Sequence, residues 1–261
     1  MTPDTSYFEI RLATDPRDLM AAQRLRYRIF IEELGGDGPL VDHRQRLERD
    51  DFDPAYDHLV LIDNRRDADA LDHVVGVYRL MTGVRAQEFG RFYCDSEYDL
   101  TALRATGRRL LELGRSCVHP DYRGGAAMFL LWSALAGYVL DHDIEILFGV
   151  ASFHGTDPEA LKLPLSWLHH HHLARPEMRV RAWPSHFQSM DLVPASALDQ
   201  RTAMVRMPAL IKAYLRLGGC VGEGAYLDRP FNTTDVFVMM DTAAMSEKHR
   251  GFYTRRRGDE A

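Results

Sequence analysis

The sequence predicts an α/β fold, a mixed central sheet flanked by helices, and three observations carry that prediction. Residues 105–118 read as a central strand, 124–143 as a helix opened by a glycine-rich turn, and 144–153 as another buried strand. This order is a βαβ-like unit whose strands are apolar enough to be covered on both faces. A strand pair precedes the unit, and a capped helix precedes the pair.

Asp15-Pro16 opens the first helix with a cap residue and a proline at the first helical position, and apolar residues recur at Leu19, Ala22, Leu25, Ile29 and Phe30. Gly35-Gly36 stops it. Residues 36–58 are polar and acidic and read as a long ordered loop, a length that usually signals function or disorder. HLVLID and HVVGVYRLM form the strand pair, joined by the charged turn NRRDADALD. Beyond the βαβ-like unit, residues 156–206 are proline-rich and read as irregular. PALIKAYLRLGG then reads as a short capped helix and TTDVFVMMD as a last strand.

With 261 residues, 46% of them hydrophobic, the chain can bury a large core. The expectation is one domain over residues 1–261 with an elaborated C-terminal part at about 156–245 and a fraying tail at 246–261. A net charge of -6 and a pI near 6.0 lack the basic footprint of a nucleic-acid binder. The longest apolar run, Ala126 to Leu140, is shorter than the roughly 20 residues that span a bilayer. The N-terminal MTPDTSYFEI carries neither a basic nor an apolar signal region, so no secretion signal is expected. Cys94, Cys117 and Cys220 are far apart, which suits a reducing cytoplasm better than disulfides or a zinc site.

The stretch ELGRSCVHPDYRGGAAMFLLW poses the functional question. A strand that ends in a turn with arginine and glycines, followed by a helix, exposes backbone N–H groups where a phosphate can sit. The same composition can simply cap a helix.

SCVHPDYRGGAAM resembles the acyl-donor loop of the GNAT N-acyltransferases, which cradles the phosphopantetheine arm of a thioester. The family pattern Arg-x-x-Gly-x-Gly/Ala becomes Arg123-Gly124-Gly125-Ala126 here, a departure better suited to acyl carrier protein, which brings no adenosine diphosphate, than to coenzyme A. LRYRIFIEE, LERDDFD, GVYRLM and ELGRSCV resemble, in order, the acyl-homoserine lactone synthases. Arg28 and Phe30 match that family's N-terminal arginine and aromatic, Glu48, Asp50 and Asp53 its acidic loop, Arg79 its strand arginine, and Glu112 and Arg115 its central-strand pair. ELGRSCVHPDYR, LFGVASFHGTDP, LSWLHHHHLA, LIKAYLRLGG and FNTTDVF resemble the ornithine-lipid-forming acyltransferases over about residues 7–240. That resemblance implies a GNAT-like fold and transfer of a 3-hydroxyacyl chain from acyl carrier protein to the α-amine of L-ornithine, giving lyso-ornithine lipid.

N-acylation needs a deprotonated amine, a thioester carbonyl held beside it, and donors for the oxyanion. Glu112 is the first candidate for the base and Glu48 the second, against the alternative of a structural ion pair with Arg115. Three residues apart on a regular strand, Glu112 and Arg115 would face opposite ways, so an irregularity is expected between residues 113 and 118, with a bulge at Gly114. The backbone N–H near Cys117 or Val118 is the oxyanion donor that the GNAT resemblance implies. A covalent role for Cys117 is disfavoured, because a free cysteine is usually a small buried hydrophobe. Asp50, Asp53 and Glu48 suit ornithine's side-chain ammonium and Arg28 or Arg79 its carboxylate, unless the acidic run is a solvated loop.

Tyr214 is a candidate proton donor for the leaving thiolate, or a core tyrosine on an amphipathic helix. Arg104, Arg108, Arg109 and Arg123 form the nearest basic cluster for the acidic carrier protein, or an ordinary solvated face. His169 and His172 would share a helix face, but no carboxylate stands at ligand spacing, so no metal and no resident cofactor is expected. The rival readings are an acyl-homoserine lactone synthase, a coenzyme A-dependent acetyltransferase, and a non-catalytic carrier- or membrane-binding module. The expected partners are acyl carrier protein and L-ornithine, with a loose association with the inner membrane and no nucleic acid.

Overall fold

The computed structural model describes residues 5–244, so the expected tail lies outside the described residues. In chain order it contains β1 (Phe8–Leu12), α1 (Pro16–Arg26), β2 (Asp57–Asp63), β3 (Val74–Thr82), α2 (Gly83–Phe89), β4 (Tyr98–Asp99), α3 (Thr101–Ala105), β5 (Leu110–Val118) and α4 (Ala126–Asp141). There follow β6 (Ile146–His154), α5 (Pro158–His172), β7 (Arg181–Ala182), β8 (Phe187–Gln188), α6 (Gln200–Arg206), α7 (Ala209–Arg216), β9 (Cys220–Asp228) and β10 (Thr233–Asp241). Two compact units emerge: residues 5–89 with 112–143, and residues 90–111 with 144–244.

The first unit is built on strands in the order β1-β2-β3-β5, with antiparallel pairing of β1 with β2 and of β2 with β3. Period-two alternation gives each strand two working faces. Val60, Ile62, Val74 and Val77 meet Ala21, Ala22, Leu25 and Ile29 of the N-terminal helix in one core, with Cys117 among them. Helix α4 packs against β1, β2 and β3. Asp15 caps α1 by accepting from the Arg17 N–H at 2.8 Å. Beyond Arg26 the helix widens into π-helical turns over Tyr27–Glu33, which end at Gly35 with φ +73°. The sequence reading has no counterpart for these wider turns, nor for the edge strand β1.

Strand β5 carries the expected irregularity at a different residue. Arg115, not Gly114, has the left-handed φ of +48°, a conformation a non-glycine residue adopts only under surrounding constraint.

The second unit has strands in the order β6-β10-β9-β7-β4, with β8 also on β9. β7 runs parallel to β9 while the β6–β10, β10–β9 and β7–β4 pairs are antiparallel, which makes the sheet mixed. The β9–β10 register breaks between Val236 and Val238. There the Tyr98 hydroxyl reaches the carbonyls of Gly224 and Asp235 at 3.1 and 2.9 Å and accepts from the Phe237 N–H.

Residues 156–206 are more regular than expected. Asp157 caps α5, accepting from the Glu159 N–H, and Pro158 sits where a helix tolerates proline. Pro164 lies inside the same helix, so proline content misleads here. Strand β9 escapes the sequence reading because glycines interrupt CVGEGAYLD. Gly224 needs its φ of +76° and its missing side chain, since a Cβ would lie 2.1 Å from the Phe187 ring. Among the described residues, no helix is long and apolar enough to cross a membrane.

Candidate active site

The candidate site belongs to the first unit. Its centre is a buried charge network assembled from α1, the acidic loop, β3 and β5. Arg26 is fully buried. Its guanidinium donates to Glu48 and, at 2.6 Å, to Asp53. Asp53 also accepts from Gln23 at 2.9 Å and from Arg79 at 2.9 Å. Arg79 donates to Asp50 at 2.6 Å, and Arg115 joins Glu48 at 3.1 Å and Asp50 at 3.3 Å. His58 donates from Nε2 to the Asp53 carbonyl at 3.0 Å, which pins the 3-10 turn Asp53–Ala55.

This geometry fixes the protonation states. Burial pushes the Glu48 carboxyl up, but the guanidiniums of Arg26, Arg115 and Arg79 outweigh it and hold Glu48 at about 2. The same contest leaves Asp53 well below the usual carboxylate range, with Arg26 and Arg79 opposing burial. A carboxylate so held is a weak base and a strong anchor. Glu48, expected as second-choice base or as a partner of ornithine's ammonium, is instead placed as an electrostatic anchor for Arg26 and Arg115.

Glu112 meets the network through Tyr56. It is 1% exposed and accepts from the Tyr56 hydroxyl. The Tyr56 ring lies under the Arg79 guanidinium, 4.4 Å from its centroid. A Cβ on Gly114 would approach Arg79 Nε at 3.7 Å and Tyr56 at 3.8 Å, so the β5 backbone, Arg79, Tyr56 and Glu112 form one wall.

One expectation shifts by two residues, about half a helical turn. The arginine that meets the acidic loop is Arg26, whereas Arg28 leaves the network on the π-helical segment and contacts His119 Nε2 at 2.6 Å. Wider helical turns change the phase of the side chains, which sequence matching cannot register. Phe30 packs on the N-terminal core, with the Arg115 guanidinium 5.9 Å from its ring. Tyr56, Arg26 and His119 were missed, although all three lie inside or beside the matched motifs. His119 is buried, its imidazole pushed down by burial and by Arg28 and Arg66.

The turn expected to hold the acyl donor follows β5 directly. Pro120–Tyr122 form a 3-10 turn, and Gly124 takes a φ of +79° that redirects the chain into α4. Gly125 occupies the cap of α4 without a side-chain hydrogen bond, and Ala126 and Ala127 follow, so small residues surround the helix N-terminus. Arg123 is committed: it donates to both Glu33 oxygens at 2.7 and 2.8 Å and to the Val118 carbonyl at 3.2 Å. A cleft of about 580 Å³ opens here, lined by Tyr7, Phe8, Arg65, Tyr122, Arg123 and the glycine turn. Cys117 is buried in the core, and burial pushes its thiol up to about 12, which keeps it protonated.

The expected basic docking cluster is not a free one. Arg104 pairs with Asp95 at 2.5 Å, Arg108 with Asp241 at 2.6 Å and Arg123 with Glu33 at 2.7 Å. Arg123 also belongs to a different unit from Arg104, Arg108 and Arg109. Tyr214 is buried on α7 in the second unit.

The comparisons with known proteins point one way. Residues 25–133 match the acetyltransferase (GNAT) domain family. An L-ornithine N(alpha)-acyltransferase of Rhodobacter capsulatus is 70% identical over 95% of this chain and 95% of its own. The chain belongs to the L-ornithine N(alpha)-acyltransferase family. An acyltransferase of the same name from Brucella abortus is 41% identical over 94% of this chain and 88% of its own. The solved structure of BjaI, a CoA-dependent acyl-homoserine lactone synthase, with SAM and isopentyl-CoA, shares the fold at a TM-score of 0.50 and 16% identity, covering 94% of this chain and 89% of its own. The fold is accordingly the GNAT acyltransferase fold, and the chain is an acyltransferase.

Proposed function

We propose that this chain transfers a 3-hydroxyacyl group from acyl carrier protein to the α-amine of L-ornithine, releasing lyso-ornithine lipid and the free carrier thiol. The observation that carries the acceptor is the 70% identity, over 95% of both chains, to a relative named for ornithine. The amine nitrogen attacks the thioester carbonyl, the C–S bond breaks, the amine's proton leaves to a base, and the thiolate departs with a proton.

Glu112 is the base in this reading. It stands on β5, the strand that runs on into the donor turn, and accepts from the Tyr56 hydroxyl, whereas Glu48 is gripped by Arg26. Tyr56 orients its carboxylate. The backbone N–H near Cys117 or Val118 donates to the oxyanion. For ornithine, the network narrows the choice. Glu48, Asp50 and Asp53 all meet arginines, but Asp50 Oδ2, 3.3 Å from the Arg115 guanidinium, is buried and makes no hydrogen bond among the described residues, so of the three it suits the side-chain ammonium best. Arg79 Nε and Arg26 Nη2 are likewise buried donors without a hydrogen-bond partner, and suit the carboxylate.

The carrier-bound donor is supported by the donor turn itself. Arg123 and Arg65, the cations lining the cleft, are already bound to Glu33 and Asp63, so the turn offers little to a coenzyme A diphosphate. A single-chain lipid product favours a cytoplasmic protein that meets the inner membrane loosely, with no resident cofactor. The test is mass spectrometry of the products formed by purified protein from 3-hydroxyacyl-acyl carrier protein or 3-hydroxyacyl-CoA with ornithine, lysine, glutamine or S-adenosylmethionine. N-acylornithine formed faster from the carrier thioester is the expected result. Lysine, glutamine or S-adenosylmethionine as the preferred acceptor would overturn the reading.

A further inference from the structure

The histidines His169–His172 end α5, and acyl transfer uses none of them. The carboxylate that sequence spacing lacks is supplied by the fold. Ser166, fully buried one turn earlier on α5, accepts the backbone N–H groups of Leu192 and Val193 at 3.1 and 3.0 Å. This ties the loop that carries Asp191 to the last turn of the helix. His170 Nε2 stands 3.2 Å from Asp191 Oδ1 and 3.0 Å from the Val193 carbonyl, and His169 Nε2 stands 3.9 Å from Asp191 Oδ2. Successive helix residues point about 100° apart, so neighbouring imidazoles converge only on a group held at the ridge between them. Asp191 occupies that ridge. One donor atom from each of the three side chains lies within 4.8 Å of the other two.

We propose that His169, His170 and Asp191 bind one divalent transition-metal ion of the zinc class. Ligands at about 2.0–2.2 Å from a tetrahedral zinc ion stand roughly 3.3 Å from one another. The two imidazole–carboxylate separations, 3.2 and 3.9 Å, lie close to that value, and the half-exposed Asp191 has room to close the difference. Two imidazoles and one carboxylate select borderline ions over calcium or magnesium, which prefer all-oxygen shells. His170 releases the Val193 carbonyl when its Nε2 binds the metal, and water completes the coordination. The ion then staples the loop 190–193 to the C-terminal turn of α5.

The test is calorimetric titration of untagged full-length protein with zinc chloride, with cobalt(II) absorption as a second readout. His169→Ala and Asp191→Asn are compared with His171→Ala, whose ring lies tilted against Trp167 with centroids 3.9 Å apart and is not one of the three clustered side chains. One zinc per chain is expected, with affinity lowered at least about tenfold in His169→Ala and Asp191→Asn and unchanged in His171→Ala. Zinc should also raise the Tm of the wild type and His171→Ala alone. All variants are compared at their metal-free Tm, so a folding defect is read separately. No stoichiometric zinc, or affinity that survives both ligand substitutions, overturns the proposal.

Discussion

Residues 42–56 are held by side-chain charge: Arg26, Arg79 and Arg115 grip Glu48, Asp50 and Asp53 where almost no water reaches. Residues 119–126 are held by a 3-10 turn, a left-handed glycine, an N–H to carbonyl bond from His119 to Val75 at 2.9 Å, and a solvent-facing ion pair of Arg123 with Glu33. The first region spends its charges on itself, and the second leaves its helix N-terminus to small residues. A buried charge network tolerates no vacancy, because each charge left behind keeps its desolvation cost. A turn whose ion pair already faces solvent can open to a ligand with little of that penalty. In the proposed reading the loop is scaffold and the turn is receptor, and β5 carries Glu112 beside Tyr56 before it runs into the turn.

Removing the central cation strikes this contrast hardest. Arg26→Met strands Glu48 and Asp53, and should destabilise the fold by about 3–5 kcal/mol in urea unfolding. A loss below 1 kcal/mol would make the network ornamental. Acid should work on the same region more gradually. The Glu48 carboxyl is lowered from 4.5 to about 2 in the folded chain, so its contribution is complete above pH 4.5 and is lost as pH falls towards 2. Asp53 is depressed in the same direction and adds to that loss. Stability measured across this window should fall with falling pH, and a flat profile would contradict the assigned ionisation.

Tyr56→Phe sharpens the boundary between scaffold and chemistry. A hydrogen bond to a charged group is worth about 1.5–3 kcal/mol, so kcat should fall about tenfold or more while the Tm moves by only a few degrees. Smallest of all, Cys117→Ala should leave turnover within about twofold, since the protonated thiol serves as core filling. Loss of turnover there, with folding intact, would reinstate a covalent step.

Strong local patterns made much of the fold legible: Asp15-Pro16 announced α1, the apolar runs announced β2, β3, β5, β6 and β10, and Ala126–Leu140 announced α4. Interrupted patterns hid the rest. Glycines concealed β9, prolines concealed α5, and nothing in the residues from Tyr27 to Glu33 distinguishes a π-helical turn from an α-helical one. Arg28, expected as the N-terminal arginine that meets ornithine's carboxylate, lies on these π-helical turns beside His119, while Arg26 on α1 meets the acidic loop. Residue types disclosed that carboxylates and arginines would meet; only tertiary packing decides which oxygen faces which guanidinium. The Asp191–histidine cluster shows the same limit, since Ser166 brings together positions about twenty residues apart.

The most direct measurement compares Glu112→Gln with Glu48→Gln in one assay, recording N-acylornithine formation beside thermal unfolding. The account predicts that Glu112→Gln loses about 10²–10⁴-fold in kcat with its Tm nearly unchanged, whereas Glu48→Gln loses stability first. A Glu112→Gln protein that turns over normally, or a stable Glu48→Gln protein that is catalytically dead, would contradict it.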